Sequence, residues 1–228
     1  MADPNTEGFD KRAAITRSLL GWGVVAGPFY LVVGLILALT RDGFVLSEHP
    51  LSVLMLGESG WLQQANLGVS GLMTLAAGLG LSRALRESRG ARGGALVLAY
   101  GACLILSAVF KPDPMAGFPP GAVEGDPTTS GLAHLAFGGV GFLCLAAAAA
   151  VVARWFGERS QGALQRYSLA SAVIVVVAFL AGAALSTSAA GVVSLWVAVV
   201  VGWLWLAVTS LRAYRSVPHP DLHRRVAT

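Results

Sequence analysis

Six apolar runs separated by short polar segments set the pattern of this chain. They cover residues 19–39, 61–81, 94–110, 131–153, 167–185 and 192–211. A helix needs about 20 apolar residues to cross the ~30 Å hydrocarbon core of a bilayer. Each run reads as a transmembrane helix, so the pattern predicts an all-α integral membrane protein, a six-transmembrane-helix bundle. A tail precedes it at 1–18, the six-span domain occupies 19–212, and a basic tail follows at 213–228. The polar segment 40–60 contains a short apolar stretch, 51–56, too short to cross and expected to lie at the interface or re-enter. In span 1, Gly23 and Gly27 stand four apart, which allows close helix approach, and Pro28 predicts a kink. In span 2, Gln63, Asn66, Ser70 and Thr74 fall on one helical face. That stripe must face other helices or a cavity, because amides in lipid lack partners.

Composition and charge add the topology. Of 228 residues, 55% are hydrophobic and only 12% charged, against about 25% charged in a soluble domain. The net charge of +4 is spread through short loops, which argues orientation in a membrane and not nucleic-acid binding. With both termini cytoplasmic, only Arg41 and Lys111 of the 16 Lys and Arg fall outside, and the other 14 inside. The positive-inside rule therefore predicts cytoplasmic termini. The Ala-, Gly- and Arg-rich usage suits the plasma (inner) membrane of a prokaryote. Cys103 and Cys144 lie within apolar runs and read as small buried side chains. His219 and His223 read as solvated tail residues. Residues 59–87 match 130–158 at an offset of 71 with ten identities. This points to duplicated helix hairpins, with Gln63 and His134 at equivalent depth.

The chemistry gathers near one membrane face. The longest polar interruption, KPDPMAGFPPGAVEGDPTTSGLAH, begins at Lys111 and places His134 one turn inside the next span. An ionisable residue there is costly and marks a candidate site. Histidine suits proton transfer near neutral pH. Asp113 is placed to orient His134 or to pair with Lys111, and His49 beside Glu48, with Glu58, extends the acid–base group. Gln63 and Asn66 offer positioning amides, Trp61 an aromatic at the lipid boundary, and Tyr100 shares a face with Cys103, Ser107 and Lys111. The histidines and acids do not show the compact spacing of a metal site, and no motif asks for a cofactor.

The blocks His49-Pro-Leu-Ser, Gly57-Glu58-Ser-Gly-Trp61-Leu-Gln63 and Asn66, then Phe110-Lys-Pro-Asp113-Pro, Gly117, Pro119, Gly121, Gly131 and His134, resemble an uncharacterised bacterial and archaeal membrane family, domain of unknown function 998. The resemblance covers nearly all six spans. It implies a six-helix fold and weight on the outer site, and supplies no reaction.

From the residues, the leading expectation is a membrane-embedded enzyme doing acid–base chemistry on a lipid or isoprenoid. His134, Asp113, His49 and Glu58 would carry protons, and Trp61, Gln63, Asn66, Lys111 and Tyr100 would hold substrate. The rival expectations are a transporter or binding module for a lipid or small molecule, and a structural membrane protein. The bilayer itself is the one partner the sequence names; oligomeric state is not written in it.

Overall fold

The computed structural model describes residues 9–85, 88–123 and 125–221. Arg86, His223, Arg224 and Arg225 and the far ends of both predicted tails lie outside these. Among the described residues there are six long helices: α1 Lys11–Thr40, α2 Gly60–Ala84, α3 Ser88–Val109, α4 Thr129–Gly157, α5 Gly162–Ala184 and α6 Ala189–Ser216. All six are long and apolar enough to cross a membrane. The protein is an integral membrane protein.

The apolar runs located every helix, but the helices outlast them. α1 starts at Lys11, inside the predicted tail, because Asp10 caps it and accepts the Arg12 and Ala13 N–H groups at 2.9 and 3.0 Å. α1 also continues through Pro28 without interruption. α6 runs on to Ser216, where Arg17 of α1 donates to the Tyr214 and Val217 carbonyls at 3.2 and 2.7 Å. These are orphan carbonyls of a helix end, and the guanidinium satisfies them while lying over the Tyr214 ring.

Helices adjacent in sequence pack side by side, and α6 closes the ring against α1. The first and last described residues therefore meet at one end of the bundle, where the Asp10 N–H donates to the Pro220 carbonyl at 3.1 Å. We call this the terminal end and the opposite one the loop end. The ring closes tightly because α1 turns its small residues inward. A Cβ at Gly27 would press on Trp203 of α6, and one at Gly23 would strike the Ser210 hydroxyl. Trp203 fills the middle of the bundle, 5.6 Å from the Tyr30 ring and 6.0 Å from the Tyr100 ring.

The loop end is covered. The stretch 51–56 forms a short 3-10 helix, Leu51–Met55, with Leu51, Val53, Leu54 and Met55 buried against α1 and α2. Its apolar side chains face into the bundle, which is why so short a run is apolar. Trp196 of α6 donates its indole N–H to the Leu46 carbonyl at 3.2 Å and ties this lid to the ring.

Candidate functional site

The residues singled out from sequence settle into four separate places. The first is a clamp between the two long loops. His49 is buried to 1% exposure. Its Nδ1 accepts the Val45 N–H at 2.8 Å, which leaves the proton on Nε2, and Nε2 donates to the Ala116 carbonyl at 3.1 Å. The ring lies 5.3 Å from Phe44 and 5.4 Å from Phe118, and Arg41 sits over the other part of the cluster, 5.7 Å from the Phe118 ring. Both nitrogens of His49 are occupied by the loops they hold together. Its sequence neighbour Glu48 is exposed, as is Glu58.

The second place is the start of α4. Asp113 neither orients His134 nor pairs with Lys111. Its carboxylate accepts the Thr128 N–H at 3.0 Å and the Thr128 hydroxyl at 2.6 Å. Thr128 in turn caps α4 by accepting the Gly131 N–H at 3.0 Å. A carboxylate over a helix N-terminus is favoured by the helix dipole. It comes so close that any Cβ at residue 131 would overlap it, which accounts for the glycine. Lys111 is exposed beyond the end of α3 and does not extend the polar face of Tyr100, Cys103 and Ser107, which are all buried.

Third, His134 of α4 pins the end of α3. Its Nδ1 lies 2.9 Å from the Ser107 carbonyl and 3.0 Å from the Phe110 carbonyl. Two acceptors there require a donor, so Nδ1 carries a proton, and in the neutral ring Nε2 is then the acceptor nitrogen. Gly141, two turns further along α4, lets the helix pack against Cys103 and Tyr100 of α3. The two cysteines are free.

The fourth place is the polar stripe of α2, and it faces inward as its spacing predicts. Gln63, Asn66, Ser70 and Thr74 are all buried. The Asn66 amide donates to the Tyr30 carbonyl at 3.1 Å and to Gln63 Oε1 at 3.0 Å. Of the two ends of the Asn66 amide only the nitrogen can donate to the Tyr30 carbonyl, so this pairing fixes how both amides point. It leaves Asn66 Oδ1 buried with no bonding partner, while the other end of the Gln63 amide faces the Tyr30 hydroxyl. The seat lies directly under the lid: a Cβ at Gly34 would touch Leu51 on one side and approach Asn66 on the other. Trp61 is 63% exposed on the outer surface at the same end of α2.

These places are not one pocket. α2 and α4 do not come within contact of each other among the described residues, so the amide pair and His134 belong to different seams. Tyr100 joins the amide seat through Trp203 and Tyr30. Gln63 and His134, equivalent in the internal match, both point inward one turn into their helices. No group of three His, Cys, Asp or Glu side chains converges as a metal site among the described residues.

The sequence profile of a family described as a protein of unknown function, DUF998, matches residues 24–212. The chain belongs to the DUF998 family. That span takes in the lid, the amide seat and both histidine sites. No curated protein and no solved structure matches the chain.

Sequence reasoning passed over Tyr30, Trp203, Thr209 and Ser210. Thr209 and Ser210 are almost fully buried, and their hydroxyls have no bonding partner. Two adjacent hydroxyls in the apolar run of span 6 were the available signal.

Proposed function

We propose that this DUF998 chain is a membrane-embedded binding protein for a lipid or isoprenoid, whose polar end is taken up by Gln63 and Asn66 under the loop-end lid. One observation carries the reading: Asn66 Oδ1 is a buried acceptor with no partner, set beside the Gln63 amide and the Tyr30 hydroxyl. Leaving it unpaired costs about 1–3 kcal/mol, and a ligand group that donates a hydrogen bond recovers this. A hydroxyl, a carboxylic acid or a primary amide does this. A phosphate diester only accepts and so cannot, and an ammonium would bury a charge with no counter-charge beside it. The lid residues Leu51–Met55 cover the seat, so loading requires them to move. We also propose a prokaryotic plasma membrane as its location, supported by the Ala, Gly and Arg usage, with the terminal end cytoplasmic, supported by the Lys and Arg distribution.

The acid–base reading keeps one specific observation in its favour. His134 holds its proton on Nδ1 and presents Nε2 as an acceptor, the form a general base needs. Asp113 and His49 are bonded elsewhere, and Glu58 is exposed.

Native mass spectrometry with lipid extraction tests both. Wild type is expected to carry a neutral amphiphile with a hydroxyl, acid or amide head, and the double variant Gln63→Leu, Asn66→Leu to lose it while unfolding no more easily. A ligand kept equally by the double variant, or an unliganded wild type, defeats the binding reading. Should His134→Ala keep the ligand bound but stop its conversion, the acid–base reading prevails.

A further inference from the structure

Among the described residues α5 packs only on α4 and α6, and Leu169, Val173, Ile174, Val177 and Leu180 stand exposed on its outer side. Two apolar grooves run beside it. One, of about 370 Å³, lies between α5 and α6, with Val193, Ser194 and Val197 on its far wall. The other, of about 470 Å³, lies between α4 and α5, where α4 contributes the small side chains Ala146, Ala147 and Ala150. In a bilayer both grooves face lipid chains. Selecting one lipid over another takes a polar anchor at the mouth of the groove.

The α4–α5 groove has such an anchor. Leu143, Ala147, Ala150 and Arg154 follow one another at helical spacing, so Arg154 continues the α4 wall. Val176, Val173, Leu169 and Arg166 do the same on α5. Phe142 stacks on Phe179, and Gly157 packs on Gln165, which fixes the register of the two antiparallel helices. That register sets Arg154 and Arg166 within a turn of the same level. Both are exposed, and neither is paired with a carboxylate among the described residues. Glu158, in the turn between them, is taken by Arg89 of α3.

The length also fits. Leu143 stands midway along α4. From there to Arg154 the helix rises about 16 Å at ~1.5 Å per residue, close to half of the ~30 Å hydrocarbon core. The groove thus runs from mid-membrane to two cations at the terminal end, the reach of one acyl chain and its headgroup within one leaflet. The α5–α6 groove lies toward the loop end, and the adjoining turn, 185–188, has no charged residue.

We infer that the α4–α5 groove binds an anionic phospholipid of the leaflet at the terminal end, its chain along Ala147, Ala150 and Val173 and its phosphate held by Arg154 and Arg166. Basic residues between helices at a membrane face suit such headgroups. A zwitterionic headgroup brings its own cation to the two arginines, so a net anionic one is selected. The site is separate from the amide seat, which lies at the loop end between α1 and α2.

The test uses the full chain in phosphatidylcholine nanodiscs containing a trace of phosphatidylglycerol with a photoactivatable diazirine at the chain end. Mass spectrometry maps the label. It is expected on residues 143–150 and 172–176 at least about five times more often than on 193–197, the factor one basic residue gives at an anionic surface. The same diazirine on phosphatidylcholine is expected to show no such preference. Arg154→Gln with Arg166→Gln is expected to remove the preference, and so is Ala150→Leu, which fills the groove and keeps both cations. Label equal in the two grooves, or absent from the α4–α5 groove as a second copy covering it would give, overturns the inference. So does equal labelling by the two headgroups. A preference that persists in the arginine variant overturns it as well; should that variant fail to fold, persistence in Ala150→Leu decides by the same rule.

Discussion

Replacing His49 by alanine tests the claim that this buried histidine is a fastener between loops. Its side chain makes two hydrogen bonds, to the Val45 N–H at 2.8 Å and the Ala116 carbonyl at 3.1 Å. Each bond lost from a site of this kind costs about 1 kcal/mol, since Val45 and Ala116 lie near enough to the surface to recruit water. The ring also fills the space between Phe44 and Phe118. Emptying it costs about 2 kcal/mol, less than a Phe→Ala change in a closed core. The sum is a loss of about 4 kcal/mol. Two further variants divide it. His49→Phe keeps the ring and loses both bonds, about 2 kcal/mol. His49→Asn sets its Oδ1 where Nδ1 was, keeps the Val45 bond and loses most of the ring, about 3 kcal/mol. Unfolding in mixed micelles titrated with SDS reads all three against wild type. A loss under 1 kcal/mol for His49→Ala would falsify the fastener role.

Three further outcomes are expected by the same assay. Gly131→Ala drives a methyl into the Asp113 carboxylate and breaks the Thr128 cap, for a loss of about 2–3 kcal/mol; Asp113→Ala in the same chain should cancel much of it, which a double-mutant cycle would record. Arg17→Ala removes both bonds to the end of α6 and the contact with Tyr214, for about 2 kcal/mol, and Arg17→Lys should recover only part of it, because, although both bonds leave the one nitrogen Nη1, the planar guanidinium stack over Tyr214 is lost. Glu158→Gln breaks the pair with Arg89, but both side chains are about half exposed, so the change should stay within ~0.5 kcal/mol.

The fold was legible because membrane-crossing helices announce themselves by length and hydropathy, and six such runs leave few arrangements. Helix ends were not, because caps such as Asp10 and Thr128 extend helices past the apolar run into polar sequence. The inward stripe of Gln63, Asn66, Ser70 and Thr74 was legible from spacing alone. The dispersal of His49, Asp113, His134 and the amides was not. Each looked like chemistry because it was polar and near one membrane face, yet which seam it enters depends on which helices touch. Asp113 illustrates the difficulty: a carboxylate that stabilises a helix start and one that orients a histidine are the same residue type at the same depth. Span 6 seemed inert because its two hydroxyls are outnumbered, and only their lack of partners sets them apart.

Closure of the ring by α6 against α1 has a bearing on how the chain is made. The polar stripe of α2 and the glycine face of α1 emerge from the ribosome early, but Trp203 and Ser210, which cover them, come last. At roughly 5–20 residues per second, the stretch from Ala84 to Ser216 takes roughly 7–26 s to synthesise. Through that interval the half-built bundle holds amides and hydroxyls open to its surroundings at mid-membrane depth. The insertion machinery must shelter this nascent edge, and a chain cut short before α6 would present it permanently to quality-control proteases.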